Sequence, residues 1–183
     1  MADTVKISGT SVRLVKGDIT DLPVESFVFY AREDLKLGSG FGTAITVRGG
    51  QAIQQELDTL APARMTEVVV SGAGELKARW IIHAVGPKFQ EPELEEKLRQ
   101  TIFNVLHTAE KKGITSVALP PMGAGFYGVP LEISVAVTLD TIADYLRNKS
   151  NIKEIILCAN DNREYKPFFE RLAALGQPER RNR

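Results

Sequence analysis

The sequence has little of what would build a disulfide framework, a metal centre or a membrane span. Its one cysteine, Cys158, has no partner for an internal disulfide. Two histidines, His83 and His107, form no recognisable metal-ligand spacing with it, so no metal and no metal cofactor is expected. No apolar run is long enough to cross a bilayer and no N-terminal stretch resembles a signal peptide, which makes a cytoplasmic location the expectation and a membrane no partner. Excess charge is missing too. Lys and Arg together number 23, as do Asp and Glu, and a net charge of zero argues against a broad footprint for duplex nucleic acid, so direct nucleic-acid binding is not indicated.

What is present is a chain of 183 residues, 43% hydrophobic, large enough to bury a core without staples. Two short strand-like runs, Thr4 to Ile7 and Val12 to Val15, are separated by a turn at Ser8 to Ser11. From Glu25 onward strands and helices alternate. Glu25 to Tyr30, Val68 to Ser71, Trp80 to Val85, Val117 to Leu119 and Ile155 to Cys158 read as strands, the first with the nearly continuous apolar character of a strand covered on both faces. Thr43 to Val47, Gln51 to Leu60, Pro92 to Lys112 (stopped by Gly113), Leu131 to Arg147 and Tyr165 to Leu175 carry helical spacing. This pattern predicts an α/β fold, a three-layer α/β/α sandwich with a mixed, mostly parallel central sheet and an antiparallel hairpin at one edge. A single domain over residues 1–175 is expected, followed by a disordered tail over 176–183 that has no apolar anchor.

Parallel strands share a carboxyl edge, and open α/β sheets bind ligands in the crevice beyond it. The loops beginning at Gly17, Ala31, Gly86, Pro121 and Asn160 would rim that crevice. Two are rich in glycine: Gly38-Ser-Gly-Phe-Gly42 and Gly123-Ala-Gly-Phe-Tyr-Gly128. Backbone N–H groups and helix N-termini converge at such junctions and favour an anion, and two of them suit two phosphates. Neither is a P-loop, because the Lys and Ser/Thr after the glycine are absent. Asp18 reads as an N-cap or Asx-turn residue, with a ligand-facing carboxylate as the sharper alternative. Arg32, Glu33 and Asp34 read as a solvated charge cluster, and His83 as a hydrogen-bonded core histidine.

Gly17-Asp-Ile-Thr20, Gly38 to Ile45, His83 to Pro87 and Gly123 to Gly128 come in an order and spacing that resembles the macro domain family, whose members bind ADP-ribose. The resemblance covers about Val5 to Leu175. It implies the same three-layer fold, with Asp18 accepting from the adenine amino group and the backbone of Ile19 alongside. It also implies that Ser39, Gly40, Phe41 and Gly42 on one loop, and Gly123, Ala124, Gly125, Phe126 and Tyr127 on the other, enclose the diphosphate and the distal ribose. Family members that hydrolyse ADP-ribosyl bonds commonly carry Asn-Ala-Ala-Asn where this chain has Phe29-Tyr-Ala-Arg32, so both asparagines are gone. An aromatic residue often lies beside adenine after the last strand, where this chain has Ala159-Asn160; Asn160 is therefore placed at the ligand, with Phe168 or another ring as a replacement.

The resemblance implies a binding module for ADP-ribose or an ADP-ribosylated macromolecule, without hydrolysis. The alternative is an ADP-ribosyl hydrolase acting on protein, nucleic acid ends or ADP-ribose esters, for which Arg32, Glu33 and Asp34 are the candidate catalytic residues and either acid the candidate base.

Overall fold

The computed structural model describes residues 3–177, so most of the expected tail lies outside the described residues. Seven strands form one sheet: β1 (Thr4–Ile7), β2 (Thr10–Lys16), β3 (Ser26–Tyr30), β4 (Val68–Gly72), β5 (Trp80–Ala84), β6 (Ser116–Leu119) and β7 (Glu154–Ala159). Their order across the sheet is β1-β2-β7-β6-β3-β5-β4. The five central strands are mutually parallel, while β1 pairs antiparallel to β2 and β4 antiparallel to β5. The sequence pattern placed an antiparallel component at the hairpin edge alone. The second arises because β4 and its partner β5 are joined by the short segment 73–79 with no helix in it, too short for a parallel crossover.

The helices are α1 (Phe41–Gly49), α2 (Ala52–Leu60), α3 (Leu94–Lys111), α4 (Leu131–Tyr145) and α5 (Asn162–Leu175). Side-chain alternation along the strands divides them between two layers. Val28, Tyr30, Val117, Leu119, Ile155 and Leu157 face a core shared with Leu98, Ile102 and Leu106 of α3, Leu139 and Ile142 of α4, and Phe168 and Leu172 of α5. The alternate residues Phe27, Phe29, Ala118, Ile156 and Cys158 face a second core with Ile45 of α1 and Ile53 and Leu57 of α2. Burying each such large apolar side chain contributes about 1.5–3 kcal/mol. Both faces are filled, which explains the unbroken apolar runs of β3 and β7.

Local signals set the helix ends. Gly113, at φ +77°, donates to the Glu110 carbonyl and Ile114 donates to that of Ala109, a left-handed stop that satisfies the last carbonyls of α3. α5 begins three residues earlier than its apolar spacing predicts. The Asp161 carboxylate accepts from the Glu164 N–H at 3.0 Å, and this cap starts the helix among polar residues that carry no hydrophobic period. His83 is buried as expected, with Nε2 2.7 Å from the Ser71 hydroxyl on β4; burial lowers its pKa to about 3.

Candidate functional site

The carboxyl ends of β2, β7, β6 and β3 open into one cleft of about 390 Å³. Its two long walls come from the loops after β3 and β6, strands that lie side by side in the middle of the sheet.

The loop after β3 is pinned from beneath. Leu35 and Leu37 are buried while Arg32, Glu33, Asp34 and Lys36 between and before them are exposed. Gln54 of α2 brackets the loop, accepting from the Leu37 N–H and donating to the Leu35 carbonyl. The chain then reverses at Gly40, whose φ of 66° and ψ of −126° only glycine adopts readily, and enters α1. At Gly42 a Cβ would stand 1.7 Å from the Leu37 carbonyl oxygen, so the helix start is pressed onto the loop that precedes it. The Thr43 N–H returns to the Gly40 carbonyl. Among the described residues, the five successive N–H groups from Gly38 to Gly42 donate to no protein acceptor.

The loop after β6 is held from within. The Ser134 hydroxyl of α4 donates to the Met122 carbonyl at 2.7 Å in a buried site, and the Val129 N–H donates to the Gly123 carbonyl. Among the described residues the N–H groups of Gly125, Phe126 and Tyr127 on this loop also have no protein acceptor. Phe126 stands 89% exposed at the lip.

Tyr30, the last residue of β3, locks the two walls together. Its hydroxyl donates to the Pro87 carbonyl, and its ring lies 4.9 Å from that of Tyr127. A Cβ on Gly86 would fall 2.1 Å from the Tyr30 hydroxyl, and one on Gly123 3.1 Å from the same group. Burial, and then the neighbouring Tyr127, raise the pKa of the Tyr30 phenol, so it is fixed as a neutral donor.

Of the residues singled out in the sequence, Ile19, Ser39, Gly40, Phe41, Gly42, Gly123, Ala124, Phe126, Tyr127, Asn160 and Arg32 line this cleft. Gly125 lies between two of them in sequence but is not itself among the lining residues. Asp18, Glu33 and Asp34 do not form part of the wall. Asp18 caps the turn Ile19–Asp21: one carboxylate oxygen accepts from the Thr20 N–H and hydroxyl, and the other from Arg48 at 2.6 Å. Burial opposes its ionisation, but the hydrogen bonds from Thr20 and Arg48 outweigh this and hold its pKa below the ordinary value. Asp34 is likewise occupied. It accepts from the Lys36 N–H and from Arg32 Nη2 at 2.7 Å, and these partners depress its pKa.

Phe168 does not reach the cleft; it is fully buried between α5 and the sheet, on the same helix face as Leu172. The wall beside Asn160 is made instead by Cys158 and Glu164, which the sequence reading passed over along with Tyr30, Lys36 and Pro120. Tyr30 and Cys158 were detectable as side chains at the carboxyl ends of parallel strands. Glu164 was detectable as the acid three residues after a capping aspartate. Burial pushes the Cys158 thiol up to about 12, reinforced by the Asp18 and Glu164 carboxylates.

Chemically, the cleft offers backbone donors for anions at its centre, a guanidinium and a phenol at one end, and an amide, a thiol and a carboxylate at the other. Among the described residues no group of three or more His, Cys, Asp or Glu side chains could hold a metal ion, and no helix is long and apolar enough to cross a membrane.

Comparison with known proteins agrees with this geometry. The Macro domain family model matches residues 30–138, from the end of β3 into α4. The uncharacterized protein SSO2899 of Saccharolobus solfataricus is 34% identical over 164 residues, covering 87% of this chain and 91% of that one. The macro domain-containing protein TTE0995 of Caldanaerobacter subterraneus is 32% identical, with 86% and 93% covered. A variant of the Oceanobacillus iheyensis macrodomain, solved with ADPR, superposes with a TM-score of 0.89 at 25% identity, covering 94% of this chain and 97% of that one. The mixed sheet, the two glycine loops at its carboxyl edge and these matches coincide along the same residues, and the chain belongs to the macro domain family.

Proposed function

We propose that the protein binds ADP-ribose, free or attached to a macromolecule, and does not hydrolyse it. The observation that carries this reading is the pair of facing loops with eight backbone N–H groups, Gly38 to Gly42 and Gly125 to Tyr127, that have no protein acceptor among the described residues. Such donors fit the oxygens of a diphosphate, and the N-terminus of α1 adds its dipole. Hydrogen bonds to a charged group are each worth about 1.5–3 kcal/mol, so a few of them suffice for micromolar affinity. ADPR occupies a macrodomain of the same fold from Oceanobacillus iheyensis, which supports the choice of ligand.

Three features support binding without turnover. By the family resemblance, Arg32 stands in place of an asparagine of hydrolytic members, and a guanidinium has donors only, so it would not orient a hydroxyl and a water as an amide can. Asp34 is tied to Arg32 and the Lys36 N–H, with its pKa depressed rather than raised toward neutrality, which suits an ion-pair partner better than a general base. Glu33 stands outside the cleft wall.

The reading is tested by incubating the protein with ester-linked and arginine-linked ADP-ribosylated proteins and following both retention and release. Saturable capture with no free ADP-ribose is the expected outcome. Release that slows in the double variant Glu33→Gln, Asp34→Asn would replace the binding module with a hydrolase.

A further inference from the structure

We propose that the cavity between α3 and the end of α4 is a second ligand site, which takes a small aromatic anion, a flat ring that carries a phosphate. α3 precedes β6 and α4 precedes β7, so the C-terminal ends of both helices lie at the amino edge of the sheet, away from the cleft at its carboxyl edge. The cavity there holds about 330 Å³, close to the 390 Å³ of the first, and the two share no lining residue. A volume of this size accommodates a small molecule. One wall is the Phe103 ring, left 42% exposed on α3. The ring is fixed in place, since Tyr145 meets it edge-on at 5.5 Å and His107 stacks on it at 6.0 Å. Its open surface is what a flat aromatic group would cover.

The charged groups around this cavity differ in what they have left to offer. Its carboxylates are spent. One oxygen of Glu110 accepts from the Tyr145 hydroxyl, and the other from the Ser150 hydroxyl and the Asn151 N–H. Asp144 is shared by two cations, with Arg99 Nη1 3.0 Å from one oxygen and Arg147 Nη2 3.2 Å from the other. The carbonyls of Ile142, Asp144 and Tyr145 at the end of α4 are taken by the N–H groups of Leu146, Arg147 and Asn148. The donors are not spent. Arg99 engages only Nη1, and among the described residues the Lys149 ammonium and the Asn148 amide make no side-chain hydrogen bond or ion pair. Arg99, Arg147 and Lys149 also outnumber Glu110 and Asp144, so the excess charge is positive. A cation would find no free carboxylate here, whereas a phosphate finds the remaining guanidinium N–H groups, an ammonium and an amide beside an exposed ring.

Amide-resolved NMR titration with phenyl phosphate, inorganic phosphate and phenol tests this, because the shifted amides locate each probe. Phenyl phosphate is expected to shift Gln100, Phe103, Asp144 and Lys149 saturably, and to bind there about tenfold more tightly than inorganic phosphate or phenol, each of which meets only half of the site. Lys149→Ala and Phe103→Ala each truncate an exposed side chain. Each should weaken phenyl phosphate binding by about fivefold or more, with the spectrum of the folded protein and the affinity for ADP-ribose unchanged. No shift at these four residues overturns the proposal. Equal affinity for phenol and phenyl phosphate also overturns it, by removing the anion, and an affinity unchanged in either variant does the same.

Discussion

Single residues at this site are constrained by what lies within a few ångströms of their backbone. Gly42 is the sharpest case. A Cβ there meets the Leu37 carbonyl oxygen at 1.7 Å, and neither partner can yield because Leu37 is buried and its N–H is held by Gln54. Gly42→Ala is therefore expected to cost about 1–3 kcal/mol of stability, the range for overpacking, and to displace the run of N–H donors beside it. Chemical denaturation and ADP-ribose titration of the same sample measure both effects. Gly125 behaves differently, since a Cβ there meets nothing within 4 Å. Gly125→Glu should fold nearly as well as the wild type, with a small penalty for its φ of +84°, yet lose ADP-ribose affinity by about 100-fold or more if the loop holds phosphate as proposed, because a carboxylate then enters that space. The glycines were legible in the sequence as a cluster. Which of them is locked by a neighbour and which is open was not, because that depends on the contacts of Leu37 and on empty space above the β6 loop.

At the scale of elements, the site works because each glycine loop is tethered to a helix that the core holds rigid. α2 grips the first loop through Gln54, and α4 grips the second through Ser134, which is fully buried. Ser134→Ala leaves the Met122 carbonyl without that donor. It should lower stability by about 1–2 kcal/mol and weaken ADP-ribose binding several-fold, since the free donors at Gly125 to Tyr127 belong to the same segment. Unfolding by urea and titration calorimetry check the two effects separately. Strand and helix existence could be read from periodicity nearly throughout, because each sheet face is covered and each helix packs one apolar stripe. The element starts that were missed share one cause. α1 and α5 begin in segments without hydrophobic spacing, α1 after the glycine turn at Gly40 with no side-chain cap and α5 at the Asp161 cap. Glu164 escaped notice with the start of α5, and with it the polar character of the β2 and β7 end of the cleft.

For the whole molecule, the sheet order converts four separated stretches of sequence into one surface. Loops that begin about 90 residues apart become neighbours because β6 inserts beside β3, which no local pattern specifies. The same burial that builds this frame makes its stability depend on pH through His83. Its folded pKa, lowered by burial to about 3, lies below the ordinary value of 6.5, so below pH 6.5 the unfolded chain takes up a proton that the native state does not. Stability therefore falls as pH drops from about 6.5 toward about 3, with a slope of up to about 1.4 kcal/mol per pH unit from this residue. Urea unfolding between pH 7 and pH 4 should show that slope in the wild type and a shallower one in His83→Gln. The central claim concerns the ligand, and the most direct measurement of it is a calorimetric titration of the wild-type protein with ADP-ribose at neutral pH. Saturable one-to-one binding, with the nucleotide recovered intact, is the result predicted; no heat of binding at millimolar ADP-ribose would contradict it.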